Sequence, residues 1–158
     1  MLADFFLGLV HTWGYLGVFV AAALANATIL LPVPSFVFII AAGAVLNPFL
    51  VAAAGGAGAA IGELTAYAAG YGGGRFVRPK NRYVARLARW FKKNPSFFAI
   101  ALFSAIPFPF DVIGILCGVI KYDVKKFALA VFAGRTVLYA VLAYASSIGM
   151  AAIIQHFV

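Results

Sequence analysis

Phe5 to Gly62 contains no Asp, Glu, Lys or Arg. That uncharged run is too long for one membrane-crossing helix, which needs about 20 apolar residues, so the breaks inside it define the elements. Trp13 and Tyr15 read as an interfacial anchor at the start of a first helix that runs to about Leu30. Leu31-Pro32-Val33-Pro34-Ser35 stops it, because proline removes a backbone donor and collides with the preceding turn. A short segment, Phe36 to Leu46, follows and ends at Asn47-Pro48. Phe49 to Gly72 predicts a spanning helix rich in Gly and Ala, whose small side chains allow close backbone approach in lipid.

The second half repeats this pattern. Phe97 to Ile106 is about half a span, Pro107-Phe108-Pro109-Phe110-Asp111 interrupts it, and Val112 to Ile120 is another short segment. Lys121-Tyr122-Asp123 is a polar turn. Val124 to about Ser146 predicts a second spanning helix, with Gly149 to Val158 as an apolar tail that could continue it.

Counting supports a duplication. Pro32-x-Pro34 precedes Gly43 by eleven residues (43 − 32), and Pro107-x-Pro109 precedes Gly118 by the same interval (118 − 107). Gly62-Glu63-x-x-x-Tyr67 then pairs with Gly134-Arg135-x-x-x-Tyr139. The expected fold is an all-α polytopic membrane protein of two pseudo-symmetric, inverted repeats. Each repeat is a Pro-x-Pro re-entrant helical hairpin plus a long transmembrane helix. Repeat one covers about 13–73, a basic amphipathic segment 75–94, and repeat two about 97–158, within a single membrane domain. Broken backbone at membrane depth survives only in protein or beside a wet cavity, and paired broken segments mark transporter binding sites.

Composition strengthens the membrane assignment. Of 158 residues, 65% are hydrophobic and 10% charged, and mean hydropathy is +1.05; soluble domains are roughly 45–50% apolar and about 25% charged. Met1 to Asp4 carries no basic stretch, so the first hydrophobic segment is expected to stay in the mature protein. Eight of the twelve basic residues fall between Arg75 and Lys93, which the positive-inside rule places in the cytoplasm of a multi-pass cell-membrane protein. A helix over 81–93 would set Arg82, Arg86, Arg89 and Lys93 opposite Val84, Leu87, Trp90 and Phe91, a surface-lying helix that attracts anionic headgroups. Nucleic acid is a poor partner for a basic face flanked by membrane.

The polar residues inside the predicted membrane segments carry the candidate chemistry. Intramembrane ionisable groups are costly and are functional hypotheses by default. Glu63 and Arg135 stand at matching positions with opposite charge, and Asp111 is a second partner for Arg135. These three form the expected central cluster, with Tyr67 and Tyr139 beside them and Asn26 and Ser35 as further polar residues. Pro32, Pro34, Pro107 and Pro109 form the hairpin tips. Only the second tip carries an acid, since Phe36 stands where the first would have one. No Cys/His cluster has metal-ligand spacing, and no metal or cofactor is expected. Cys117 reads as packing.

These blocks together resemble the DedA family, the VTT-domain membrane proteins. The carriers are Leu-Pro-Val-Pro-Ser with Gly43, the stretch Gly58 to Gly70 around Glu63 and Tyr67, Ala-Ile-Pro-Phe-Pro-Phe-Asp111 with Gly114 and Gly118, and Phe-Ala-Gly-Arg135. The resemblance implies two re-entrant hairpins among spanning helices and movement of lipid between leaflets. Better-known members carry acids where this chain has Asn26 and Phe36, and often arginine near Phe110 and Asp111. Downhill lipid exchange is therefore the expectation.

The leading functional reading is a flippase or scramblase for an anionic lipid, such as a polyisoprenyl phosphate or a phospholipid, with membrane lipids as partners and a homo-oligomer left open. The alternatives are a proton-coupled transporter of small molecules or ions, and a scaffold. An enzyme is not expected, because four acids in the chain supply neither a nucleophile with its base nor a carboxylate-rich metal site.

Overall fold

The computed structural model describes residues 2–27, 35–73, 86, 89–90, 93, 95–106 and 110–157, and these are helical apart from short connections. In chain order the helices are α1 (Leu2–Ala27), α2 (Ser35–Val45), α3 (Pro48–Gly73), α4 (Phe97–Ser104), α5 (Asp111–Val119) and α6 (Val124–Phe157). Among the described residues there are no strands. Pro32, Pro34, Pro107, Pro109 and Arg82 lie outside them, and with them the predicted hairpin tips. Arg86, Arg89, Trp90 and Lys93 have helical backbone, within the helix predicted over 81–93.

By length and composition alone, three helices among the described residues could cross a membrane: Gly8–Ala27, which contains a break at Gly14, Pro48–Gly72 and Val124–Gly149. Their starts follow from the sequence. Asn47 Oδ1 accepts the backbone N–H groups of Phe49 at 3.0 Å and Leu50 at 3.3 Å, capping α3, with Pro48 at the first helical position where no donor is needed. Asp123 Oδ1 accepts from Lys126 N at 2.8 Å and caps α6, and Ser96 Oγ caps α4 through Ala99 N at 3.1 Å. The apolar tail after Gly149 belongs to α6, which runs unbroken to Phe157.

The first helix departs from expectation. It begins at Leu2 rather than near Trp13 and breaks at Gly14, whose φ of 55° and ψ of −126° are non-helical. Glycine is the residue that adopts a positive φ without steric cost. The break folds the leading segment close enough that a Cβ on Gly17 would collide with the Leu9 carbonyl. Only Tyr15–Ala27 continues straight, roughly 20 Å of helix, short of the ~30 Å hydrocarbon thickness.

The long helices α3 and α6 pack against each other, and every other helix docks on one or both. Gly55 faces Tyr139, Gly56 faces Thr136 and Glu63 faces Arg135, so the pair runs antiparallel. The helices α1 and α2 meet beside the start of α3, where Asn47 N–H donates to Tyr15 Oη at 3.2 Å. At the other end of α3, Gly118 of α5 lies against Tyr67 and Tyr71. The open ends of the α1–α2 pair, at Tyr15 and Asn47, therefore lie at the start of α3, Asn26 at the end of α1 reaches Gly62 in mid-helix, and α5 ends at the far end of α3.

Small residues make these contacts possible. A Cβ on Gly62 would strike Ala23 and Asn26 of α1, and one on Gly134 would strike Ala101 and Ser104 of α4. A Cβ on Gly43 would strike Ala143, and one on Gly118 would strike the Tyr67 carbonyl and Tyr71. The core divides into two clusters, one around Val18, Ile39, Val51 and Tyr139, the other around Ile100, Phe110, Ile113 and Phe127.

Candidate functional site

Where α3 and α6 cross, the guanidinium of Arg135 donates from Nη2 to Glu63 Oε1 at 2.8 Å. Glu63 is 2% exposed and Arg135 7%. Each holds the other's charge away from water, where either alone would be strongly disfavoured. The contact uses one oxygen and one nitrogen. Glu63 Oε2, Arg135 Nε and the neighbouring Thr136 Oγ1 are buried with no hydrogen-bond partner among the described residues. Buried polar groups are normally paired, so among the described residues both the acid and the base keep hydrogen-bonding capacity that the pair does not use.

The site is closed on one side by α5. The Arg135 Cζ lies 5.6 Å from the centroid of the Phe110 ring, a cation–π distance. Phe110 in turn stacks on Phe127 at 6.2 Å. Gly114 lies against Ala66, and a Cβ there would be 3.7 Å from Glu63 Oε2. Asp111 is half-buried in the first turn of α5, next to Phe110, whose ring faces Arg135.

On the other side, Tyr139 is fully buried one turn beyond Arg135. Its hydroxyl donates to Ser35 Oγ at 3.0 Å and accepts from Asn26 Nδ2 at 3.3 Å. Asn26 Nδ2 also reaches the Ala22 carbonyl at 2.8 Å. Tyr139 thus joins the end of α1 to the beginning of α2, and Asn26 packs on Gly62, next to Glu63. Tyr139 links Ser35 and Asn26, and Glu63 pairs with Arg135 one turn away on α6.

Tyr67 is the predicted site residue that stands apart. Its hydroxyl donates to the Tyr122 carbonyl at the end of the bundle, and its ring packs on Phe127 at 5.3 Å and Tyr71 at 6.2 Å. A tyrosine side chain is long enough for its hydroxyl to reach away from the turn that carries it, which removes this one from the Glu63–Arg135 crossing. Arg86, Arg89 and Lys93 are exposed, and Trp90 packs edge-on against Phe103 of α4 at 6.3 Å. Sequence reasoning passed over Phe110, Thr136 and Ser104. Ser104 is fully buried and donates to the Val131 carbonyl at 3.1 Å. Its signal was the Ala-x-x-Ser pattern before the second proline pair, which matches Ala23-x-x-Asn26 before the first.

The groups present are a buried acid–base pair, a half-buried second acid, hydroxyls, an amide and an aromatic face. Among the described residues no group of His, Cys, Asp and Glu could hold a metal ion. The arrangement suits reversible binding of a charged group inside an apolar bundle.

The pattern of the VTT domain matches residues 33–148. That stretch covers most of the chain, which therefore belongs to the VTT-domain family, the domain of the DedA proteins. Searches of curated proteins and of solved structures returned no match.

Proposed function

We propose that the chain moves an anionic lipid, a polyisoprenyl phosphate or a phospholipid, between the leaflets of a membrane. The observation that carries this reading is the Glu63–Arg135 pair at the crossing of the two long helices. It is buried and, among the described residues, incompletely hydrogen-bonded, and it lies between the half-length helix α5 and Tyr139, which ties the end of α1 to the beginning of α2.

The architecture behind the proposal is an inverted repeat with re-entrant hairpins. Helices α1 and α2 form the first hairpin and α4 and α5 the second, entering from opposite faces and meeting near the midplane. Matching contacts support it. Gly62 against Ala23 and Asn26 corresponds to Gly134 against Ala101 and Ser104. Gly43 against Ala143 corresponds to Gly118 against Tyr71. The docking of α2 on α6 corresponds to that of α5 on α3. Re-entrant segments are also supported by length: α2, α4 and α5 have 11, 8 and 9 residues, and at ~1.5 Å per residue each is roughly half a span or less.

In this mechanism Arg135 receives the lipid phosphate, a group that guanidinium binds well. Glu63 releases Arg135 as phosphate arrives, and Asp111 balances the charge while the carboxylate is displaced. Arg86, Arg89 and Lys93 concentrate anionic headgroups at the cytoplasmic side. The acyl chains stay in the surrounding lipid, so the protein needs no large apolar chamber. No bond is made or broken, and the protein is a transporter rather than an enzyme.

One observation favours a second reading. Among the described residues Glu63 Oε2 is buried without a partner, as a carboxylate that takes up a proton would be, and this suits a proton-coupled transporter of small molecules or ions.

The test is headgroup movement in proteoliposomes, comparing a polyisoprenyl phosphate with a zwitterionic phospholipid. The variant to use is the folded double substitution Glu63→Gln with Arg135→Gln. Loss of anionic lipid movement supports the proposal, and unchanged movement removes Arg135 from the mechanism. A flux that follows an imposed pH gradient and vanishes in Glu63→Gln favours the proton-coupled reading.

A further inference from the structure

At the end of the bundle where α3 and α5 finish and α6 begins, Lys121 has a φ of 54°. It is the one non-glycine residue with positive φ among the described residues. Tyr122 N–H bonds to the Cys117 carbonyl at 2.9 Å and Lys121 N–H to that of Gly118 at 3.0 Å. This is the left-handed helix ending in which glycine is the usual residue, because other side chains are disfavoured there. The chain does place glycine at its other positive φ, at Gly14. Lysine here carries a local penalty that glycine would not, and its side chain has a defined place. The ammonium sits 5.6 Å from the centroid of the Tyr71 ring, and the Tyr67 hydroxyl holds the next residue through its carbonyl.

The surroundings have the character of a membrane border. Tyr71 is 57% exposed, and Val119 and Val124 are exposed on either side of the turn. Lys125 and Lys126 are exposed in the first turn of α6. The one acid in the turn, Asp123, is already engaged in capping Lys126 N. Aromatic rings at headgroup level beside lysines form the usual protein edge of a bilayer.

We infer that Lys121, held over Tyr71 by the left-handed turn, is a binding point for the phosphate of an anionic phospholipid at this rim of the bundle. The exposed tyrosine and valines favour a lipid over a free anion, because they give the glycerol and acyl portion an apolar surface beside the ammonium. The site is separate from the Glu63–Arg135 crossing and does not depend on the transport proposal, since its test reads binding and not movement.

The experiment measures binding of phosphatidylglycerol to the detergent-solubilised full chain, with phosphatidylcholine and inorganic phosphate as comparisons. In Lys121→Gly and Lys121→Asn, both suited to the turn, the thermal midpoint without lipid should stay at or above that of the native chain. Affinity for phosphatidylglycerol should fall about fivefold, the loss expected for one basic side chain at an anionic surface. Lys121→Arg should retain it. The inference is overturned if either neutral variant binds phosphatidylglycerol as the native chain does. It is equally overturned if inorganic phosphate alone protects the native chain as well as the lipid does.

Discussion

Arg135 and Glu63 are 72 residues apart in sequence and 2.8 Å apart in space. Each lies at the point where its helix meets the other long helix, and each is buried. Removing one partner leaves the other as an isolated buried charge, which costs about 3–5 kcal/mol. Arg135→Met alone should therefore lower the thermal midpoint of the purified protein sharply. Adding Glu63→Leu to Arg135→Met should restore most of the loss, because an apolar pair can replace a buried ion pair at little cost. A double variant no more stable than Arg135→Met would show that the pair does not hold α3 to α6.

Close glycine contacts predict a graded series. Gly118→Ala places a methyl group against the Tyr67 carbonyl, and Gly134→Ala against Ala101 and Ser104. Overpacking of this kind costs roughly 1–3 kcal/mol. Gly8→Ala meets nothing within 4 Å and should be neutral or gain about 0.5–1 kcal/mol in helix stability. Thermal unfolding of the three variants in one detergent checks the order. Equal midpoints would mean that these helices have room to separate.

Tyr139→Phe removes the hydroxyl that joins Asn26 to Ser35. The expected cost is about 1–3 kcal/mol, because buried partners are left unpaired. Amide hydrogen exchange should then quicken in α2, residues 35–45, with little change in α5. Tyr67→Phe should show the opposite distribution, loosening the turn at Tyr122 and sparing α2. Identical exchange patterns for the two variants would contradict the separate roles given to these tyrosines.

Sidedness can be read chemically. In a Cys117→Ala background, Asn47→Cys and Tyr71→Cys lie near opposite ends of α3. A membrane-impermeant maleimide should label them from opposite faces of intact vesicles, with Tyr71→Cys on the same face as Lys93→Cys. Labelling of both from one face would rule out α3 as a spanning helix.

Much of this was legible in the sequence. Equal spacing from proline to glycine and the Gly-charge-x-x-x-Tyr blocks single out Glu63 and Arg135 as partners, and the two side chains do pair. Spacing does not fix where a long side chain ends. Tyr67 and Tyr139 occupy matching positions, yet one hydroxyl finds a backbone carbonyl in a turn and the other an amide and a serine. The break at Gly14 went unread because a lone glycine in an apolar run looks like packing. Its flanking Trp13 and Tyr15 suggested a helix start and not a bend. The Phe110 ring beside Arg135 was hidden by the prolines around it, which directed attention to the backbone.

The order of synthesis gives the buried pair a further consequence. Glu63 leaves the ribosome 72 residues before Arg135 (135 − 63), a delay of roughly 4–14 s at 5–20 residues per second. During that interval α3 must either hold an uncompensated carboxylate in lipid, at about 2.5–3.5 kcal/mol on insertion scales, or wait at the translocon. The first half of the chain is therefore incomplete in charge until the second arrives. Co-expressed halves should accumulate together and be degraded when made alone.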